Sequence, residues 1–381
     1  MSGQPSDVME EIRKALSKEK RVHVRRLDFG EDGGSSPETG AGAEGGSGAE
    51  PVAGDRTIEQ ARVAPAPAPG APGLFDLLVM VDWSAKDGTT WGRDSTWLAV
   101  GDGTLRAPIL TCNTVTRSGL DDAVRKALDV ALEHDLRVLL GYDFAFGYPE
   151  GFANVVKKYL TGGSGAGGTW RDVWCWLEAS VIDRTSNVTN RFNVADTFNR
   201  SLKTAFFWGR PPSLTGLPAL PSQKPTASSC PAGMGLNPLG DRRATELAMA
   251  KSVWQLFGAG SVGSQTLTGV PYLERLHSHC NRFQQTLVVW PQETGFRPDP
   301  LARFCDARFL LVEIWPSLLV PAKHLGSKMV ADEWQVAWMV ELCRAQQAAG
   351  GLPLWFDPPR LKVMPRARAA AMNEEGWILG V

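Results

Sequence analysis

The sequence predicts an α/β protein: a mixed sheet carrying a long insertion and preceded by a disordered linker. Three observations lead there. First, three apolar runs each carry one carboxylate. Leu74–Ala85 (LFDLLVMVDWSA) reaches Asp82, Arg137–Pro149 (RVLLGYDFAFGYP) reaches Asp143, and Arg308–Leu319 (RFLLVEIWPSLL) holds Glu313. Short apolar runs with β-branched and aromatic members, closed by turn residues, read as buried strands. Second, the elements from Leu74 onward follow the order β-β-β-α-β, and later β-α. Third, residues 28–72 consist largely of Gly, Ala, Pro, Glu and Ser and end in APAPAPGAPG. Such a stretch cannot bury enough surface to offset its chain entropy and reads as a disordered linker.

Composition bounds the rest. With 381 residues, 43% of them hydrophobic, the chain can build a real core. The net charge of −1 argues against a protein basic overall, though it leaves room for a local basic channel. No run of eighteen apolar residues occurs, so no membrane span is expected, and no apolar signal segment opens the chain. The six cysteines are far apart and form no CxxC pair, as expected of reduced thiols in a cytoplasmic protein. Tryptophan occurs 14 times; core packing is the ordinary use of most such rings, stacking on bases the sharper one.

In chain order, residues 1–27 predict a short amphipathic helix. Ser6 is its N-cap, and Val8, Ile12 and Leu16 recur at helical spacing. Alone it has too little apolar surface to be stable. It therefore reads as a tethered segment able to dock a protein partner, or as a frayed tail. A folded region, 73–381, begins after the linker. Strand one ends at Asp82, strand two spans Thr96–Gly101 and strand three Leu105–Val115. A helix follows over Leu120–His134, with Leu120, Val124, Leu128 and Leu132 on one face, Ser118 as a cap and Asp121 and Asp122 suited to the helix N-terminus. Strand four ends at Asp143. Tight turns between the first strands imply an antiparallel meander, and the helix a crossover to a strand parallel to the first. Residues 150–305 break the rhythm and read as an insertion, with a helix over Arg242–Leu256. Strand five with Glu313 and a helix over Val330–Ala349, with Asp332 in its first turn, complete the sheet region.

That order is the order of the ribonuclease H fold, and here short blocks resemble a known family. VDWSA (Val81–Ala85), GYDFAFGYP (Gly141–Pro149), KSVWQLFGAGSVGSQTL (Lys251–Leu267), VEIWPS (Val312–Ser317) and ADEWQVAWMVELCRA (Ala331–Ala345) resemble an uncharacterised prokaryotic family of predicted nucleases with a ribonuclease H-like fold. The resemblance spans residues 74–350. It implies that Asp82, Asp143, Glu313 and Asp332 share one catalytic acidic site. Asp82 would bridge two Mg²⁺ or Mn²⁺ ions, Asp143 would bind one and Asp332 complete the other, while Glu313 could instead hold an Arg or a water. Two hard cations about 4 Å apart stabilise both the attacking and the leaving oxygen of a phosphodiester. Each acid also has a plain structural alternative: Asp82 and Asp143 as turn formers, Asp332 as a helix N-terminal acid.

Other signals are weaker. Gly258, Gly260 and Gly263 match the dinucleotide fingerprint, but no strand pattern precedes them, and Gly269 and Pro271 interrupt a following helix. The stretch reads as a glycine turn in which Lys251 and Ser261 could contact a substrate phosphate; no strand leads in, so Ser261 as a hydrolase nucleophile is disfavoured. Asp87-Gly88-Thr89-Thr90 sits in the first turn, where some nucleotide-binding folds hold phosphate. His277, His279 and Cys280 fit no zinc spacing. A basic series, Arg191, Arg200 and Lys203, interleaved with Phe192, Phe198, Phe206 and Phe207, could track nucleic acid; a solvated face over an aromatic core is the alternative. The expected function is a divalent-metal-dependent nuclease or phosphohydrolase acting on nucleic acid or a nucleotide. The competing expectation is a catalytically silent adaptor that binds nucleotide or nucleic acid and recruits a partner through residues 1–27.

Overall fold

The computed structural model describes residues 5–18, 22–27, 73–105, 107–247, 249–258, 260–320 and 329–381. Helix α1 (Pro5–Ser17) and strand β1 (Val22–Leu27) belong to the sheet domain. This corrects the expectation of a tethered helix. Val8, Ile12 and Leu16 are buried in the core, and β1 pairs antiparallel with strand β4 (Ile109–Thr114), from Val22 opposite Thr114 to Leu27 opposite Ile109. A lone helix of this length is marginal, so the same stripe that suggested a foreign partner is covered by the chain itself. The strand went unread because its only period-2 signal is Val22 and Val24 among charged neighbours. The predicted linker, 28–72, lies outside the described residues, as does the Ser6 side chain.

The meander is β2 (Leu77–Asp82), β3 (Thr96–Asp102) and β4, all antiparallel neighbours. Helix α2 (Arg117–Glu133) crosses over to β5 (Val138–Asp143), which runs parallel to β2. The N-cap of α2 is Thr116, whose hydroxyl accepts the Gly119 N–H at 3.1 Å, two residues ahead of the expected Ser118. After β5 come α3 (Phe152–Thr161), α4 (Trp170–Ser180), α5 (Arg191–Leu202), the two-residue strands β6 (Thr204–Ala205) and β7 (Gly235–Leu236), and α6 (Val262–Glu274). Strand β8 (Leu287–Val289) lies within the stretch expected to be insertion, yet it forms a sheet edge beside β9 (Phe309–Glu313). The sheet has seven strands in the order β1-β4-β3-β2-β5-β9-β8. It is a mixed α/β sheet. Short helices α7 (Pro316–Leu319), α9 (Leu352–Phe356) and α10 (Pro365–Ala370) flank the long α8 (Ala331–Ala348).

Alternation sorts the sheet into two cores. Leu77, Val79 and Val81 of β2, with Leu140 and Tyr142 of β5 and Phe309 and Leu311 of β9, pack against α1, α2 and the insertion. Leu78 and Met80, with Leu139, Leu310 and Val312, pack against α8 through Val336, Ala337, Met339 and Val340. The guanidinium of Arg344, fully buried, pins α8 lengthwise. Its Nε donates to the Asp102 carbonyl at 2.7 Å and one Nη to the Ala107 carbonyl at 2.8 Å. Asp102 is the partner of Leu77 at the start of β2. Twelve helical residues rise about 18 Å and β2 extends roughly as far, so pinning Arg344 at one end delivers Asp332 to the other, where β2 finishes.

The helix expected over Arg242–Leu256 is absent; that stretch is turns. Its side chains bond locally instead: Glu246 accepts both the Arg243 N–H at 2.9 Å and the Arg243 Nε at 3.0 Å, and such bonds compete with a helical ladder. The helix instead occupies the glycine stretch as α6, which contains Gly269 and Pro271. A Cβ on Gly269 would come within 2.5 Å of the Phe144 ring, so the glycine is what lets α6 lie against the sheet. Burial over nearly its whole length overrides the poor intrinsic propensity.

Candidate active site

The site is built at the carboxyl ends of β2 and β5. Asp82 closes β2, Asp143 closes β5, and the two are Cα partners across the parallel pair, where adjacent strands lie about 4.8 Å apart. By alternation both side chains continue the face that α8 covers. The strand ends are held rigidly beneath them: Trp83 is buried and its indole N–H donates to the Thr268 hydroxyl at 3.1 Å. Asp332, in the first turn of α8, accepts the Asp94 N–H at 2.9 Å. Asp94 has a left-handed backbone, φ 58°, which Asp tolerates better than most residues, and the Ser84 hydroxyl donates to its carbonyl at 2.7 Å.

The electrostatics follow from this crowding. Among the described residues neither Asp82 nor Asp143 has a hydrogen-bond or ion-pair partner for its carboxylate. Burial, then the charges of Asp143, Asp332 and Asp94, raise the Asp82 carboxyl well above the usual carboxylate range. Burial, then Glu313 and Asp332, push Asp143 up to about 7. Asp332 is raised by burial, an effect partly offset by the N–H of Asp94. Acids brought to neighbouring strand ends without a counter-charge among the described residues are residues that could hold a cation.

Glu313 is different. It pairs in register with Tyr142, not Asp143, so alternation puts its side chain on the opposite face. Its carboxylate accepts two bonds from buried Arg243, at 2.7 and 2.5 Å, and the Phe146 N–H at 2.9 Å. It is an Arg holder whose charge Asp143 still feels, and it is not grouped with the other acids as a free ligand.

Two cavities meet at the acids. The larger, about 790 Å³, is lined by Asp82, Asp94 and Asp332 together with Lys86, Arg191 and Ser261. The smaller, about 230 Å³, is lined by Asp143, Glu313 and Lys251. The structure thus gathers seven of the predicted residues around the strand ends. It leaves out Arg200, which is paired with Asp196, and Lys203, an exposed helix C-cap in a left-handed conformation. Neither lines these cavities. Phe192, Phe198, Phe206 and Phe207 are buried in an aromatic cluster around Phe152 and Trp254; they are core and not a stacking surface. Arg191 bonds Asp87 and Thr189, both at 2.6 Å, and Ser264 at 3.1 Å. His277 bonds Glu293 at 3.1 Å.

Sequence reasoning missed Asp94, Ser264 and Gln265. Gln265 donates to the Trp83 carbonyl at 2.7 Å and lines both cavities. Asp94 carried a usable signal, an acid in a glycine-containing turn immediately before a strand; Gln265 carried none, since its helix was not expected. Among the described residues no three His, Cys, Asp or Glu side chains are grouped closely enough to cage a metal. The pair Asp82–Asp143 nevertheless suits a hard cation of the Mg²⁺ type, which is held by one or two carboxylates and keeps the rest of its shell for water and substrate oxygens. Compared with models of known families, with curated proteins and with solved structures, the chain finds no match in any of the three.

Proposed function

We propose that the protein is a divalent-metal-dependent phosphoester hydrolase, built on a ribonuclease H-like arrangement of strands. The observation that supports it most is the in-register pair of half-buried carboxylates, unpartnered among the described residues, at the ends of adjacent central strands. The meander followed by a parallel crossover strand supports the fold reading. In this reading Asp82 and Asp143 hold the cation, Mg²⁺ or Mn²⁺, and Asp332, oriented by the Asp94 N–H, adds charge from the helix side. The bound cation supplies positive charge against the oxygens of a phosphoryl group. The chain's own residues do the rest. Lys86 and Arg191 face the same cleft and suit the remaining phosphoryl oxygens. The buried β2 and β5 and the pinned α8 hold the acids in place without reorganisation. The cleft's four carboxylates outnumber its two cationic side chains, so an anionic substrate enters it favourably only with a cation already there.

The test is Mn²⁺ binding by calorimetry to the protein and to Asp82→Asn and Asp143→Asn, with folding checked by circular dichroism. Binding lost in both variants, together with Mn²⁺-dependent cleavage of a phosphodiester panel, is the expected result. Binding indifferent to both substitutions would sink the hydrolase reading and leave a catalytically silent nucleotide-binding module. Such an adaptor could not recruit through the apolar face of α1, which its own domain covers.

A further inference from the structure

We propose that the substrate is a small two-armed phosphodiester of about dinucleotide size, and not a long strand or a duplex; this rests on the hydrolase reading above. Two independent observations carry it.

The first is how the cavities meet. Asp82 lines the larger and Asp143 the smaller, while Gly260 and Gln265 line both. Because the two acids are Cα partners on neighbouring strands, the seam between the cavities runs across the acid pair. A phosphate held on that seam sends one arm into each cavity. The larger, about 790 Å³, has the volume of a small-molecule site, and the smaller, about 230 Å³, adds room beside it for one further group. The chemistry of the two differs. The larger presents Ser84, Lys86 and Arg191, which suit a sugar or a second polar group. The smaller presents Ile314, half-exposed Trp315, Ile378 and surface-exposed Met249, a wall that suits one planar ring by stacking.

The second is how sparse a polymer track is among the described residues. A long strand needs one cation per phosphate it contacts, and rings open to its bases. Among the described residues the cleft offers few cations for that: Arg191 and Lys86, each also paired with an acid, and Lys251 beside the smaller cavity. Of the insertion's aromatic residues, Phe192, Phe198, Phe206 and Phe207 are in the core, and exposed Phe257 leaves one open ring at the larger cavity. Beyond the seam the acidic excess of the cleft repels further phosphates.

The experiment titrates the full-length protein with thymidylyl-thymidine and with a single strand of about 20 thymidylates, in Ca²⁺, by calorimetry at several salt concentrations. Cleavage of both is read separately in Mn²⁺ by chromatography. The dinucleotide is expected to bind with a salt slope near the value of about −0.7 for one phosphate, and the strand to bind less than about tenfold tighter. Trp315→Ala should weaken dinucleotide binding roughly tenfold, in line with loss of one stacked base. Met249→Glu, at an exposed position that does not threaten folding, should weaken it similarly by placing an acid at the mouth. No dinucleotide binding, a strand bound a hundredfold or so tighter with a slope of several phosphates, or indifference to both variants would overturn the proposal. Cleavage of the strand without dinucleotide binding would overturn the size alone and leave the hydrolase reading standing. Dinucleotide binding that responds to both variants, with neither molecule cleaved, would support the two-armed site and remove the hydrolase reading.

Discussion

Two groups of acids near the carboxyl ends of the central strands, one buried and one half-buried, are treated oppositely. Glu313, at the end of β9, has both oxygens bonded, to Arg243 and to the Phe146 N–H. Glu374 and Glu375, near the C-terminus, belong with it. Glu374 accepts the N–H groups of Gly151 and Ala153 at 2.6 and 2.9 Å, and Glu375 those of Glu150 and Ala244 at 2.8 and 2.7 Å. These acids tie the insertion and the C-terminal segment to the sheet. Among the described residues Asp143, one strand away on β5, and Asp82, two strands away on β2, have no such partners. A buried charge is costly unless paired, so the first group reads as architecture, while the half-buried, unpartnered second group is what the proposed cation site rests on. The comparison separates fold from function at positions that look alike in sequence.

The sharpest way to break it is Arg243→Ala. If the Glu313 group is architectural, removing its cation leaves Glu313 and Glu246 buried without a counter-charge and should cost about 3–5 kcal/mol, read as a lowered urea midpoint. A neutral outcome would mean that Glu313 is as free as Asp82. Next is α1. Ile12→Ala removes a fully buried side chain from the core and should cost about 2–4 kcal/mol in the same denaturation. An unchanged midpoint would restore the tethered helix of the first expectation.

The open group should behave in reverse. Asp143→Asn should stabilise the metal-free protein, by about 1–2 kcal/mol, while abolishing Mn²⁺ binding. The pH dependence gives the same sign. With its carboxyl pushed up to about 7 by burial and by Glu313 and Asp332, folded Asp143 keeps a proton that the unfolded chain loses near pH 4. That contribution is complete below about pH 4 and is lost as pH rises through about 7. Midpoints measured from pH 4 to 8 should therefore fall more in the wild type than in Asp143→Asn, and saturating Mn²⁺ should flatten the difference. Parallel profiles would remove Asp143 from the open group. The smallest effect is expected at Arg200→Ala, about 1 kcal/mol, because Arg200 is exposed and its buried partner Asp196 keeps the Ala219 N–H, with no change in Mn²⁺ or dinucleotide binding. A clear loss of dinucleotide binding there would return nucleic acid to the surface of α5.

The parts of the fold written in strong local periodicity were legible. β2, β3, α2, β5, β9 and α8 each carry an apolar pattern of the right period, and the meander and parallel crossover followed from their connections. Weakly patterned elements were not. β1 offers two valines among arginines, and β8 has three residues. In the stretch from Arg242 to Glu274 the expectation was inverted: local bonds of Arg243 and Glu246 undo a helix, and burial against Phe144 makes one out of a segment with Gly269 and Pro271. Arg191 and its neighbouring phenylalanines looked like one surface; the rings turned inward because together they close a core around Phe152.

By itself the sequence determined that Asp82 and Asp143 end buried strands, that Asp332 opens a long helix, and that the intervening stretch departs from the sheet. Period and composition suffice for that, because each is a property of a few consecutive residues. Only the tertiary structure decided which acids are partnered. Whether Glu313 meets Arg243, 70 residues away, and whether Asp143 meets none of the described residues, depend on strand register and on the opposite faces of one sheet. Those are set by packing over the whole chain and leave no mark on the residues beside them.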